Sequence, residues 1–187
     1  MNTASEAPEN VYAPPRAVVS DPAPAESATL PFLAVSPLKL VIMCLGTFTF
    51  YQLYWIYKNW RLYQQRTGDD IWPAARTIFA VFFIYQLFKQ INAQAQQRQV
   101  AGFAAGLAAI GWIVFSLMWN LPGAFGLLPI FSTFCLVPAQ LAASRVNDAA
   151  APGHDQNSRL KGWNWLAVVL GLPFLAMAVF GAFLPQP

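Results

Sequence analysis

Five apolar stretches divide the chain, and the polar residues gather between them. They run from Leu38 to about Tyr57, Thr77 to Phe88, Val100 to Trp119, Gly123 to about Leu141, and Trp163 to about Leu184. A helix rises about 1.5 Å per residue, so roughly 20 apolar residues cross the ~30 Å core of a bilayer. Four of the five stretches meet that length. The second does not, because only the run TIFAVFFIYQLF separates Arg76 from Lys89. A run so short dips into a membrane or lies at its surface. The spacing predicts an all-α integral membrane protein, a bundle of four spans plus one short membrane-dipping helix. Five spans, with Arg76 and Lys89 snorkelling to opposite sides, is the alternative. The predicted helices cover residues 38–67, 73–92, 100–119, 123–141 and 163–184, so the transmembrane domain is 38–187.

Local signals mark several helix ends. Nothing stops the first helix at Lys58, so it should continue into water until Gly68, a natural C-cap. Pro73 suits the first turn of the next helix. Asn120-Leu121-Pro122-Gly123 is an uncharged turn that folds the third and fourth stretches into a tight hairpin. Pro129, Pro138 and Pro173 should kink their helices. Ala142 to Gly162 reads as a long polar loop. Residues 1–37 hold seven of the fifteen prolines among Ala, Glu and Ser, which predicts a disordered Ala/Pro-rich tail.

Composition sharpens the membrane reading. Hydrophobic residues make up 57% of the chain and charged residues 10%, against about 25% charged in soluble domains. The formal charge is +3, with Lys and Arg flanking apolar stretches rather than covering one solvated surface. That argues against nucleic acid as a partner. The positive-inside rule then compares topologies by their Lys and Arg. With the second stretch dipping, nine cations from Lys58 to Lys161 share one side, leaving Arg16 and Lys39 on the other with both termini.

Catalytic chemistry is sparse. No Asp or Glu lies inside an apolar stretch. His154 with Asp155 and Asp148 is the one acid/base grouping, and its sequence context reads as a solvated loop. Cys44 and Cys135 lie in apolar stretches, where small packed side chains are expected rather than a metal site or disulfide. No phosphate loop or hydrolase motif is present. The sequence therefore predicts no enzyme and no cofactor. Gln52, Gln86, Ser116, Ser132, Thr133 and Gln140 are the polar groups at depth, expected to bond helices together.

Two residue sets stand out. Gly102, Gly106 and Ala109 form a small-residue series, predicting close helix packing or self-association. The segment Gly46 to Leu62, GTFTFYQLYWIYKNWRL, passes from apolar through aromatic to cationic, as a helix does on leaving a bilayer. Its Tyr54, Trp55, Lys58, Trp60 and Arg61 are the candidate contact residues for membrane lipids or a membrane-protein partner.

That same segment carries a resemblance. Leu45-Gly46-x-Phe48-x-x-Tyr51-x-x-Tyr54-Trp55-x-Tyr57-Lys58-x-Trp60 resembles the first helix of small bacterial polytopic membrane proteins of unknown function. Trp72 to Lys89, Val146-Asn147 and Gly162-Trp163-Asn164 are similar to later parts of that pattern. The resemblance implies a multi-pass protein of the bacterial inner membrane and brings no catalytic residues. The expected function is a non-enzymatic adaptor that contacts lipid or a partner through a cytoplasmic aromatic and basic surface. A small transporter or channel, with Gln52, Ser132 and Thr133 lining a path, is the alternative.

Overall fold

The computed structural model describes residues 30–182. Those residues form seven α-helices and no strand: α1 Pro37–Gly46, α2 Phe50–Thr67, α3 Pro73–Ile78, α4 Ala80–Gln97, α5 Ala105–Leu117, α6 Ser132–Ala150 and α7 Gly162–Ala182. Two 3₁₀ stretches, Met118–Asn120 and Gly123–Phe131, join α5 to α6. Two helical segments are long and apolar enough to cross a membrane, Phe125–Ala150 and Gly162–Gly181. α1 and α5 are apolar but shorter.

The expected single helix over 38–67 is two helices. α1 starts with Ser36 as N-cap, its hydroxyl accepting from the Lys39 amide, and with Pro37 in the first turn. It stops at Gly46. The Thr47 hydroxyl then donates to the Met43 carbonyl at 2.6 Å and accepts from the Tyr51 amide at 3.0 Å. Phe48 and Thr49 sit at φ 49° and 67°. Left-handed backbone costs a non-glycine residue roughly 1–2 kcal/mol, so packing elsewhere must hold this turn. The turn reverses the chain, and α2 runs back beside α1. Gly68 ends α2 in the left-handed conformation at φ 72°, as its sequence position predicts.

The packing order follows from side-chain partners. The segment before α1 and then α1 itself run antiparallel to α6: Phe32 meets Asn147, Val35 meets Gln140, and α1 packs along the rest of α6. α2 runs parallel to α6, with Gln52 bonded to Ser132 and Trp55 to Gln140. Pro31 therefore lies at the same end as Arg66 near the end of α2, and the two share a hydrogen bond of 2.8 Å. α5 and α6 pack as a hairpin, but not through the expected four-residue turn: the helices expected at 100–119 and 123–141 are α-helical over 105–117 and 132–150, and the 3₁₀ stretches between them make the connection long.

Burial begins earlier than the expected boundary at residue 38. Phe32 and Val35 are 0% and 1% exposed. The remaining predicted tail, 1–29, lies outside the described residues. α6 likewise continues to Ala150, past the expected end at Leu141, because Ala142, Ala143, Val146 and Asn147 are all buried. The predicted loop shortens to residues 151–161.

The second apolar stretch also divides, at Phe79, between α3 and α4. α4 extends to Gln97 and buries Ala80, Ile84, Leu87, Phe88, Ile91 and Ala95, one face at helical spacing. Its opposite face exposes Phe82 and Tyr85. α7 crosses α1 where Gly171 meets Gly46. A Cβ on Gly171 would land on the Gly46 carbonyl oxygen and lie 2.6 Å from the Thr47 Cα. Beyond that crossing α7 is mostly exposed.

Candidate functional site

The five predicted contact residues separate into two groups. Tyr54 and Arg61 are exposed and Lys58 is half-buried, with its ammonium 5.9 Å from the Tyr54 ring. These three follow one another at helical spacing on the outer face of α2. Trp55 and Trp60 are 0% and 1% exposed and belong to the core. Trp55 donates its indole N–H to Gln140 at 2.6 Å. Trp60 supports Arg76, whose guanidinium stacks 4.4 Å from the Trp60 ring and 5.2 Å from the Phe83 ring. A buried indole cannot reach a headgroup, so the outward surface is narrower than predicted.

The small-residue series separates too. Gly102 precedes α5, and a Cβ there would lie 2.7 Å from the Asn92 carboxamide oxygen. Gly106 has only the Tyr85 ring, at 4.0 Å. Ala109 is buried within the bundle. The close approach in this region is instead Gly111 against Cys135, where a Cβ would sit 2.9 Å from Sγ.

A set of amides organises the interior. Asn147 forms a pair of bonds with the Phe32 backbone, accepting from its N–H at 3.0 Å and donating to its C=O at 2.9 Å. Asn59 accepts from the Leu33 N–H at 3.0 Å and donates to the Trp55 carbonyl at 2.9 Å. Gln140 donates to the Val35 carbonyl at 2.8 Å. Three side-chain amides from α2 and α6 thus pair with a segment that belongs to no helix or strand. Buried backbone groups need such partners. The apolar run Leu30-Pro31-Phe32-Leu33-Ala34-Val35 was the one sequence signal for this strap within the proline-rich region.

Gln52 organises the opposite end. Its amide donates to Ser132 at 2.9 Å and Thr133 at 3.0 Å and accepts from the Trp112 indole at 2.7 Å. A cavity of about 340 Å³ lies beside it, bordered by Phe48, Trp112, Trp119 and Pro129. The Gln52 amide has its donors and acceptor engaged, so helix-to-helix bonding accounts for Gln52, Ser132 and Thr133.

The charged residues form a third feature. Between residues 30 and 182 there are ten Lys and Arg against four Asp and no Glu. Among the described residues no Lys or Arg lies within 4.0 Å of a carboxylate, and the single ionisable pair is His154 with Asp148 at 3.5 Å. His154 Nδ1 also lies 3.1 Å from the Ala151 carbonyl oxygen. Arg66 stacks on Phe32 at 5.1 Å and Tyr63 at 5.7 Å. Burial first, then the nearby charge of Arg98, lower its pKa. Gln64 near the end of α2 donates to the Ile71 carbonyl at 2.7 Å, so α3 starts beside the last turn of α2 at the charged end. Arg145 joins them there, donating to the Ala101 carbonyl at 3.3 Å.

Lys39 is no exposed flank of α1. It is 3% exposed and donates to Asn157 at 3.0 Å and to the Arg159 carbonyl at 2.8 Å, tying α1 to the loop before α7. Among the described residues no group of three His, Cys, Asp or Glu could hold a metal ion. The chain matches no protein-family model, no curated protein and no solved structure.

Proposed function

We propose that this is a non-enzymatic, multi-pass protein of the bacterial inner membrane. Its charged end faces the cytoplasm and contacts anionic lipid or a membrane partner. The supporting observation is the segregation of charge. The turn at 47–49, the 3₁₀ connection and α7 carry no ionisable acid or base, while the charged loops and helix ends gather opposite. Around the uncharged part Leu107, Ile110, Phe125, Phe134, Leu170 and Phe174 point outward, all at least 50% exposed. Soluble monomers rarely expose contiguous apolar patches beyond a few hundred Å², whereas lipid covers such a belt.

In this reading α1 and α2 form an inserted hairpin, α3 and α4 dip and return, α5 and α6 form a second hairpin, and α7 crosses. The N-terminal strap then lies on the cytoplasmic side, opposite to the placement expected from one unbroken first helix. Tyr54, Lys58, Arg61 and the exposed Lys89 and Arg145 supply the contact surface. Each cation near an anionic leaflet contributes about 1 kcal/mol.

A cysteine map tests the reading. Single cysteines at Thr67, Gln96 and Leu121, in a Cys44→Ser, Cys135→Ser background, are probed with an impermeant thiol reagent. In intact spheroplasts the Thr67 and Gln96 positions should be protected and the Leu121 position reactive. Opposite behaviour of Thr67 and Gln96 would mean that α3 and α4 cross, and the continuous cytoplasmic surface would be lost.

A further inference from the structure

We infer that the outer groove between α5 and α6 holds an acyl chain of an anionic phospholipid whose phosphate rests on Arg145. The inference builds on the membrane reading above and adds a defined lipid site to it. The groove encloses about 690 Å³. Ala108 and Gly111 of α5, with Ala104 just before the helix, give it a flat wall, and Phe134, Cys135 and Pro138 of α6 give the other. The helices touch at Gly111 and Cys135. They leave the channel open toward the exposed Leu107 and Phe134 side chains. All its lining side chains are uncharged and nearly all are apolar, as a hydrocarbon chain requires.

Length and charge select the occupant. From Ala104 to Phe115 the groove follows α5 for about 16 Å at 1.5 Å per residue. One leaflet of a bilayer core is about 15 Å deep. Phe134, Pro138, Leu141 and Arg145 succeed one another at spacings of four, three and four, one outer stripe of α6. That stripe passes from the groove wall to an exposed guanidinium at the charged end. Arg145 is held over the start of α5 by its bond to Ala101 and keeps donors for a phosphate. Asp148, one turn on, receives Gln156 at 3.4 Å and lies beside His154. A partner helix would also fit small residues, but it would not by itself account for a cation at the mouth of the groove.

Cys135 lines the groove and reports on its occupancy. The full chain carrying Cys44→Ser is purified in detergent and its alkylation by N-ethylmaleimide is timed with added phosphatidylglycerol or phosphatidylcholine. Phosphatidylglycerol should slow the reaction more than phosphatidylcholine does. Arg145→Gln, at an exposed position, should weaken phosphatidylglycerol protection about fivefold, the effect of one cation facing an anionic lipid, and weaken phosphatidylcholine protection less, because the choline cation offsets the charge of its phosphate. Ala108→Trp should fill the groove and slow alkylation without lipid. Equal protection by both lipids, or none, overturns the inference. So does protection that follows protein concentration instead of lipid, which would assign the groove to a second copy. Carbonate extraction keeps the two failures apart: a chain released from membranes defeats the membrane reading, whereas a retained chain with a lipid-insensitive Cys135 defeats this inference alone.

Discussion

Asn147 shows how much can rest on one side chain. Its amide satisfies both polar groups of the Phe32 backbone in a fully buried site. Asn147→Ala would strand a donor and an acceptor, each costing about 1–3 kcal/mol when buried and unpaired. A loss of about 2–3 kcal/mol of stability in detergent is expected, with faster proteolysis near Phe32. Unchanged cleavage would mean that Asn59 and Gln140 hold the strap without it. Tyr63 gives a pH signature. Its hydroxyl donates to Asp69 at 2.6 Å, and that bond, then burial, then the Asp69 charge raise its pKa above the usual value near 10. The folded state retains this proton more firmly than the unfolded chain. The bond's contribution is therefore fully present below about pH 10 and disappears as the pH rises through the raised value. Tyr63→Phe should be less stable than wild type at pH 8, and the gap should close in strong alkali. A gap independent of pH would refute the assignment.

Among the helices, the informative failure is the first. The apolar periodicity of Leu38 to Tyr57 continues through the turn without interruption, so a single span was the natural expectation. Gly46-Thr47-Phe48-Thr49 contains weak helix formers, but propensity alone rarely ends a helix. Tertiary pairing does so here. Gln52, Trp55 and Asn59 can reach Ser132, Gln140 and Leu33 only if α2 reverses beside α1. α7 depends on another close approach, at Gly171. Gly171→Leu would force Cβ into the α1 backbone and should cost about 1–3 kcal/mol by overpacking. Helix content by circular dichroism should hold while the loop at 151–161 becomes easier to cut. An uncut loop and an unchanged melting temperature would show that α7 docks elsewhere.

The whole molecule is polarised along the helix axes. One end collects the strap, the end of α2, both ends of the α3–α4 unit and the loop before α7. The other end is aromatic and uncharged. This arrangement supplies the topology test by cysteine mapping and the lipid test at Cys135. It also explains why the predicted contact residues divided. A helix packed on one side by α3 and on another by α6 has only a narrow face left, and Tyr54, Lys58 and Arg61 occupy it. Trp55 and Trp60 share the composition of an interface belt, but their positions around the helix turn them inward.

Composition, apolar run lengths and capping residues determined the helical class, the Gly68 and Pro73 boundaries, and the α5–α6 hairpin. These features depend on local backbone chemistry, which neighbouring residues carry. The side on which Trp55 packs, the reversal at Phe48 and the burial of Phe32 and Lys39 came only with the tertiary structure. Each rests on a partner far along the chain: Gln140 for Trp55, Asn147 for Phe32, Asn157 for Lys39. A buried polar atom is stable only where its partner stands, and a single sequence does not carry that pairing.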